Sequence, residues 1–390
     1  MNVTNNSQSP KKQRVLIVAP SFDILGGQSV QAARLLERLR EEPLLEVAFL
    51  PINPRLPGIL RQLQKIKYVR TVVTSIAYVL SLLLRVHKYN VIHVFSASYF
   101  SFILAPTPAI LIGKLYHRKV LLNYHSGEAG DHLQRWRRTA IPTIRLVDSI
   151  VVPSEYLVRV FASFGLEARA IYNLIDTSRF RFRERVALRP VFLSNRNLES
   201  HYGVDRVLRA FAMIQEKFSE ASLTIVGDGS QSRPLTILAT ELNLQNTMFI
   251  GQVDHAAIAD VYDAADIFLN GSEIDNQPLS ILEAFSCGLP VVTTDPGGIP
   301  DIVQDERTGM VVSAGDYAEM AERAICLLNN PTLTKRIVEQ ARHECLKYSW
   351  EAVRDAWMNV YHGLNSEKSA AAGETGAPTP PAPERKILTR

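Results

Sequence analysis

Short apolar runs alternate with helical patterns along this chain, and the alternation occurs twice. Arg14–Ala19 (RVLIVA) is continuously apolar after its first residue, as expected of a parallel strand buried on both faces. A loop carrying Gly26 and Gly27 follows, then a helical pattern over Gln28–Glu41 and strand-like runs at Leu44–Leu50, Val91–Phe95, Val120–His125 and Ser149–Pro153. The same grammar restarts after Arg189. Strands are predicted at Val191–Ser194, Ser222–Val226, Thr247–Ile250, Ile267–Leu269 and Pro290–Thr293. Helices are predicted at Val204–Lys217, Gln231–Leu242, Ala256–Ala264, Leu279–Cys287 and Tyr317–Asn329. Such alternation implies parallel sheets with right-handed crossovers. Two runs of it within 390 residues imply two α/β domains, over 13–183 and 184–349, with the Arg-rich stretch Arg179–Arg189 at the boundary. A final amphipathic helix is expected over 350–365, and residues 1–12 and the Ala/Pro/Glu tail 366–390 should be disordered.

The net charge of +4 hides an asymmetry: residues 1–190 carry a balance of +15 and the remainder −11. Between Glu46 and Glu128 there is no acidic residue, while ten Lys or Arg occur there. A field of one sign attracts anionic partners. No nucleic-acid motif is present, so nucleic acid is not an expected partner and an anionic membrane surface leads. Within this region Arg61, Lys65, Lys67 and Arg70 precede the apolar run Val72–Leu84, which Arg85 and Lys88 close. Thirteen residues fall short of the roughly 20 that span a bilayer. The expectation is a basic amphipathic helix lying in the interface, against the alternative of a buried crossover helix with a solvated basic end. Cys287, Cys326 and Cys345 make neither a disulfide framework nor a zinc cluster. With no secretory signal at the N-terminus, the expected location is the cytoplasm, peripheral on the cytoplasmic face of the membrane.

The most informative segment is Ser272–Val292 (SEIDNQPLSILEAFSCGLPVV). Asp275 ends a loop, and Pro278 falls where a first helical turn should begin, which suits its fixed φ and missing N–H. The N–H groups of Asn276, Gln277, Leu279 and Ser280 would then point outward, and a helix start of this kind binds phosphate. Glu283, about one and a half turns in, can face the same cleft and accept hydrogen bonds from ribose hydroxyls. The alternative is an ordinary capped helix with Glu283 solvated.

This segment resembles the acidic signature of retaining glycosyltransferases of the GT-B fold, family 4 in particular, whose pattern is Glu-Gly-Phe, five residues, then Glu-Ala and a run ending Gly-x-Pro-Val-Val. Glu283-Ala284 and Gly288–Val292 match; Asp275, Asn276 and Gln277 stand where the family has Glu, Gly and Phe. The resemblance runs from about Arg14 to Leu364. It implies two Rossmann-like domains facing across a cleft, with the last helix crossing back onto the first domain. It also implies a nucleotide-sugar donor, UDP- or GDP-linked. Gly26 and Gly27 are similar to the family's double glycine facing the donor phosphates, and His125 matches its cleft histidine against the donor sugar. SNRNLESHYGVDRVLRAF resembles the segment in which an Arg and a Lys clamp the diphosphate. Arg196 matches the Arg, whose planar fork suits phosphate, but Tyr202 stands in place of the Lys. Arg206 is the nearest substitute cation, with Asn197 or His201 as neutral donors. Gly227, Asp228 and Gly229 match the family's glycine turn, and Phe249–Val253, with Ile250, matches the segment that reads the nucleobase.

The resemblance therefore names His125, Asp275 and Arg196 as catalytic. It names Gly26, Gly27, Arg196, Tyr202, Arg206, Gly227, Asp228, Gly229, Ile250, Asn276, Gln277, Pro278, Leu279, Ser280 and Glu283 as donor-binding. The chain has no DxD motif, so no metal or other cofactor is expected. The leaving phosphate would be stabilised by the helix start, Arg196 and the Gly26-Gly27 amides. The expected acceptor is a lipid-linked or other glycan of surface-polysaccharide assembly. Two other readings share the fold: a non-catalytic partner or regulatory subunit, motivated by Tyr202 and Asp275, and a nucleotide-sugar epimerase. A dehydrogenase is disfavoured because no GxGxxG follows the first strand.

Overall fold

The structure, a computed structural model, describes residues 12–22, 26–58, 60–66, 68–96, 98–185, 187–254 and 257–370, the side chains of 60, 178 and 365–370 excepted. Lys67, residues 1–11 and residues 371–390 lie outside the described residues, and so do the expectations of disorder placed on them.

The first sheet is built from β1 (Gln13–Ala19), β2 (Leu45–Pro51), β3 (Val91–Ser96), β4 (Lys119–Tyr124), β5 (Ser149–Val152) and β6 (Arg169–Ala170). Its order is β2-β1-β3-β4-β5-β6 and every pairing is parallel. The second contains β7 (Val191–Asn195), β8 (Ser222–Val226), β9 (Thr247–Gly251), β10 (Ile267–Asn270), β11 (Val291–Thr294) and β12 (Met310–Val312), in the order β12-β11-β10-β7-β8-β9. These pairings too are all parallel. The apolar runs become strands because both sheet faces are covered: Val15 to Ala19 and Ile267 to Leu269 are fully buried. In each sheet the strand order reverses, at β1/β3 and at β7/β10. The crevice beyond the carboxyl ends of the strands at such a reversal is where open α/β sheets bind ligands.

Three elements escape a reading of periodicity. β6 and β12 have two and three residues, too few to show a period, and the helix Pro331–Cys345 is largely polar. His125 lies one residue beyond β4 rather than ending it. The last helix runs Trp350–Ala370, past the expected 365 and into the stretch expected to be disordered, because no Pro or Gly interrupts residues 364–370. It crosses back onto the first sheet as expected. Tyr361 Oη lies 2.8 Å from His93 Nδ1, and Gln13 Nε2 donates to the Tyr361 carbonyl at 3.1 Å. The Arg-rich boundary pins the start of the second domain, since Arg183, Arg185 and Arg189 all reach the buried carboxylate of Asp266. Burial alone would raise the pKa of Asp266, but the hydrogen bonds from Arg189 and Arg183 outweigh it and hold the group at about 2.

The basic, apolar region folds as the helix Val69–Arg85, prolonged by a 3₁₀ turn to Lys88. Tyr78 and Leu82 are buried in the first core, and Tyr78 Oη donates to the Ala105 carbonyl at 2.8 Å. Val69, Val72, Ile76, Leu80 and Leu84, three or four residues apart, remain exposed by 37–68%. The helix is apolar on its outer face as well as its inner one, so it is not the buried crossover of the alternative reading. It is also longer than the apolar run suggests, which corrects the expectation of a segment too short to span. The stretch Val69–Lys88 has 20 residues and a mean hydropathy of 1.6, long and apolar enough to cross a membrane by length and composition alone. Connectivity argues against a single crossing. β2 precedes this helix, β3 follows it, and both pair with β1. A spanning helix would put the two neighbours of β1 on opposite sides of the bilayer.

Candidate active site

A cleft of about 580 Å³ lies between the carboxyl ends of the two sheets. From the first domain it is lined by Gly26 and Gly27 after β1, Ser98 and Tyr99 after β3, and His125 to Glu128 after β4. From the second it is lined by Asn195 to Asn197 at the end of β7, Gly227 after β8, Gln252 and Val253 after β9, and Ile274 to Ser280 with Glu283 after β10. Two separate sheets thus present strand ends at their order reversals to one space.

Most residues singled out from the sequence meet there: Gly26, Gly27, His125, Arg196, Tyr202, Gly227, Asp275, Asn276, Gln277, Pro278, Leu279, Ser280 and Glu283. Arg206, Asp228, Gly229 and Ile250 do not line the cleft. Arg206 turns to Asp205 and Glu273, which together satisfy its guanidinium. Asp228 caps its own turn, accepting from Gly229 N at 2.8 Å and Ser232 Oγ at 2.6 Å. Ile250 is exposed on the edge strand β9, and the two residues after that strand form the wall instead. Sequence reasoning did not mark Tyr99 and Glu128, which follow β3 and β4 and share no local motif.

The glycines do two kinds of work. A Cβ built on Gly26 or Gly27 meets nothing within 4 Å, so this protein's own packing does not demand glycine there, while a ligand approaching the backbone would. At Gly227 (φ 127°) a Cβ would lie 1.9 Å from the Arg196 carbonyl oxygen, so that glycine is needed for the fold.

The helix Leu279–Cys287 has the predicted bounds, with Pro278 as its N-cap rather than in its first turn and with no side-chain cap. The Asn276 N–H is taken by Asp275 Oδ1 at 2.9 Å. Within the helix Ile281 N already donates to the Pro278 carbonyl at 3.2 Å, so the first turn's open donors among the described residues are Leu279 and Ser280. The departures from the family pattern acquire a role here. Asn276 Oδ1 accepts from Ser154 Oγ of the first domain, and Gln277 Oε1 accepts from Asn173 N at 2.6 Å. Side chains absent from Gly and unlike Phe tie the loop after β10 to the first domain.

Glu283 is buried rather than solvated. Arg34 Nη2, on the first helix of the other domain, donates to its Oε1 at 3.2 Å, and Tyr262 Oη donates to its Oε2 at 3.1 Å. Burial raises the pKa of Glu283, opposed by Arg34 and the Tyr262 hydrogen bond. His125 stacks on Phe95 with ring centroids 5.1 Å apart, and burial pushes its pKa down to about 3, so it presents a neutral imidazole. Arg196 pairs with Asp275, and its Nη1 donates to Ser280 Oγ at 3.3 Å. Among the described residues, four buried atoms of cleft side chains have no hydrogen-bond partner: His125 Nε2, Arg196 Nε, Asn276 Nδ2 and Gln277 Nε2. A buried polar group left unpaired costs about 1–3 kcal/mol. At least three of these four are N–H donors, which suits a ligand rich in acceptor oxygens.

A two-domain α/β protein with a donor-lined crevice at paired strand-order reversals belongs to the nucleotide-handling double-Rossmann class. Residues 177–344 match the family Glycosyl transferases group 1, and residues 25–179 match Glycosyltransferase Family 4. The chain is 30% identical over 274 residues to the GDP-mannose-dependent alpha-(1-6)-phosphatidylinositol monomannoside mannosyltransferase of Mycolicibacterium smegmatis, covering 63% of this chain and 71% of that protein. It is 30% identical over 222 residues to the sulfoquinovosyl transferase SQD2 of Arabidopsis thaliana, covering 53% of this chain and only 43% of that protein. Anabaena HepE, solved in complex with UDP-glucose, shares the fold with a TM-score of 0.70 over 92% of this chain and 99% of that one, at 17% identity. The chain belongs to glycosyltransferase family 4, a family of hexosyl-transferring enzymes of the GT-B fold.

Proposed function

We propose that this protein transfers a hexosyl group from a nucleotide-sugar donor, bound in the cleft, to a glycan acceptor. The observation that carries the reading is the set of unpartnered buried atoms at His125, Arg196, Asn276 and Gln277, residues that line the cleft from both domains. Arg196 and the first amides of the helix Leu279–Cys287 would take the diphosphate, with Gly26 and Gly27 open to its other side. Glu283 would take the ribose, Gln252 and Val253 the base, and His125 with the two side-chain amides the sugar. Each oxygen of Glu283 has one protein partner and keeps room for a second donor. Asp275 does not stand free as a nucleophile on the sugar, being engaged by Arg196, Ser272 and Asn276. Transfer on one face with retention of configuration is therefore favoured, the departing phosphate drawing the proton from the acceptor hydroxyl. The charge would be met by Arg196 and backbone donors without a metal, so activity should persist in EDTA.

Beside the cleft a hollow of about 460 Å³ is lined by Tyr99, Tyr156, Glu128, Asp131, Glu273 and Asp275, with Arg135 paired to Asp131. Four carboxylates against one lining cation suit acceptor hydroxyls, which supports an acceptor whose reacting end is a neutral glycan, any lipid phosphate lying further out. The exposed stripe Val69–Leu84 and its basic flank support a lipid-linked acceptor met at the cytoplasmic face of an anionic membrane, in surface-glycan assembly. UDP-, GDP- and ADP-sugars test the donor reading by calorimetry. One of them should bind, and Arg196→Ala and Glu283→Ala should each weaken it at least tenfold. Unchanged affinity in both variants would place the donor elsewhere.

A further inference from the structure

Arg196 is held from several sides before any ligand arrives. Its backbone N–H donates to the Val226 carbonyl at 3.1 Å, and Gly227 packs against its carbonyl with no room for a Cβ. Its guanidinium carbon lies 4.1 Å from the centroid of the Tyr202 ring. Asp275 and Ser280 engage the two Nη atoms, while Nε is buried with no partner among the described residues. Tyr202 is fixed in turn. It ends the turn Ser200–Tyr202, its ring lies 4.2 Å from that of His201, and the following Gly203 (φ 58°) presses on the Gly271 carbonyl. The structure gives no hydrogen bond to the Tyr202 hydroxyl among the described residues, so the ring face is what this residue offers.

We propose that Tyr202 is a positioning residue. Its ring is the platform that holds the Arg196 guanidinium flat against the cleft wall, oriented for the donor diphosphate. The inference rests on the reading of the cleft as a diphosphate site. An arginine free to rotate gives up substantial side-chain entropy on binding. One already stacked on an aromatic face does not, and the stack adds a cation–π attraction. A single pre-oriented fork then serves where a second cation would otherwise be supplied. Arg206 is not that cation: it lies outside the cleft lining, turned to Asp205 and Glu273.

The test is calorimetry of the full chain with UDP and GDP, with uridine and guanosine as probes lacking phosphate. For whichever diphosphate binds, Tyr202→Phe should stay within about twofold of the wild type, and Tyr202→Leu should lose roughly tenfold, about 1.4 kcal/mol. The corresponding nucleoside should bind both variants and the wild type alike. In an Arg196→Ala background Tyr202→Leu should add less than twofold, because the platform acts only through the guanidinium. Thermal melting of each variant separates this from loss of fold. Equal losses for nucleoside and diphosphate, additive losses in the double variant, or a Phe variant as weak as the Leu variant would each overturn the proposal. If Arg196→Ala leaves diphosphate affinity intact, the reading of the cleft falls and takes the platform with it. If Arg196→Ala weakens binding and Tyr202→Leu does not, the platform alone falls.

Discussion

The two sheets share one architecture but are used differently. The first domain carries the basic surplus, the exposed apolar helix and the buried histidines His93 and His132. The second carries the acidic surplus and most of the polar cleft wall, including the loop 274–280. The first turns an apolar helix face outward, and the second supplies more of the polar lining of the cleft. They are joined at Arg34–Glu283, Ser154–Asn276 and Asn173–Gln277, each with at least one member lining the cleft, and outside it at Asp301, which accepts from Tyr156 N and pairs with Arg159. Asn173, Asn276, Gln277 and Glu283 thus line the cleft and couple the domains at once.

The largest expected effect breaks that coupling. Arg34→Met leaves the Glu283 carboxylate buried without its charge partner, which costs about 3–5 kcal/mol in comparable sites. Urea unfolding should show this loss, and the double variant Arg34→Met/Glu283→Met should recover part of it. If the double variant is no more stable than Arg34→Met, the pair is not the joint between the domains.

Acid should then separate the domains. Burial holds His93 at a pKa of about 3 and His132 at about 4, against an ordinary histidine near 6.5. The unfolded chain therefore takes up these protons first, and the first domain loses stability as pH falls from about 6.5 toward 4. At pH 5 His93 alone contributes a loss of about 2 kcal/mol. In the second domain the depressed carboxylate Asp266 keeps its contribution until pH falls below about 4, toward its folded value of about 2. Trp350 and Trp357 pack in the core of the first sheet and Trp136 packs against its other face. Tryptophan fluorescence should thus change at higher pH than far-ultraviolet circular dichroism completes its loss. Coincident transitions would show that the histidines do not distinguish the domains.

The smallest effect per residue concerns the outward face. Arg61, Lys65 and Arg70 should each add about 1 kcal/mol to binding of anionic vesicles, screened by salt. Replacing Val72, Ile76, Leu80 and Leu84 with Ser should abolish co-sedimentation and leave nucleotide affinity unchanged. A wild-type protein that ignores anionic liposomes at low salt would rule out docking on a membrane through this face.

Much of this was legible beforehand, for physical reasons that differ by element. Buried parallel strands are largely apolar, so β1, β3 and β10 announced themselves, and β8 did so through the alternation of Leu223 and Ile225 with Thr224. The helix Leu279–Cys287 and Glu283 were legible through a local motif, because a helix start and a carboxylate a few residues past its loop need only short-range spacing. The partners of Glu283 were not. Arg34 lies 249 residues away, and nothing in its own helix distinguishes it from Arg38 or Arg40. Arg206 was misassigned because proximity along a helix was taken for proximity to the cleft. The Asp205 and Glu273 carboxylates that divert it come from its own helix turn and from the loop after β10.

The sequence by itself determined the alternation of elements, the charge asymmetry and the family. These depend on composition and on contacts within a few residues. Only the tertiary structure decided that Asn276 and Gln277 bridge the cleft, that Tyr202 lies under Arg196, and that the outer face of Val69–Arg85 is bare. Each is a contact, or a missing contact, between segments brought together by sheet order. Spacing along a chain carries no record of which strand ends will meet.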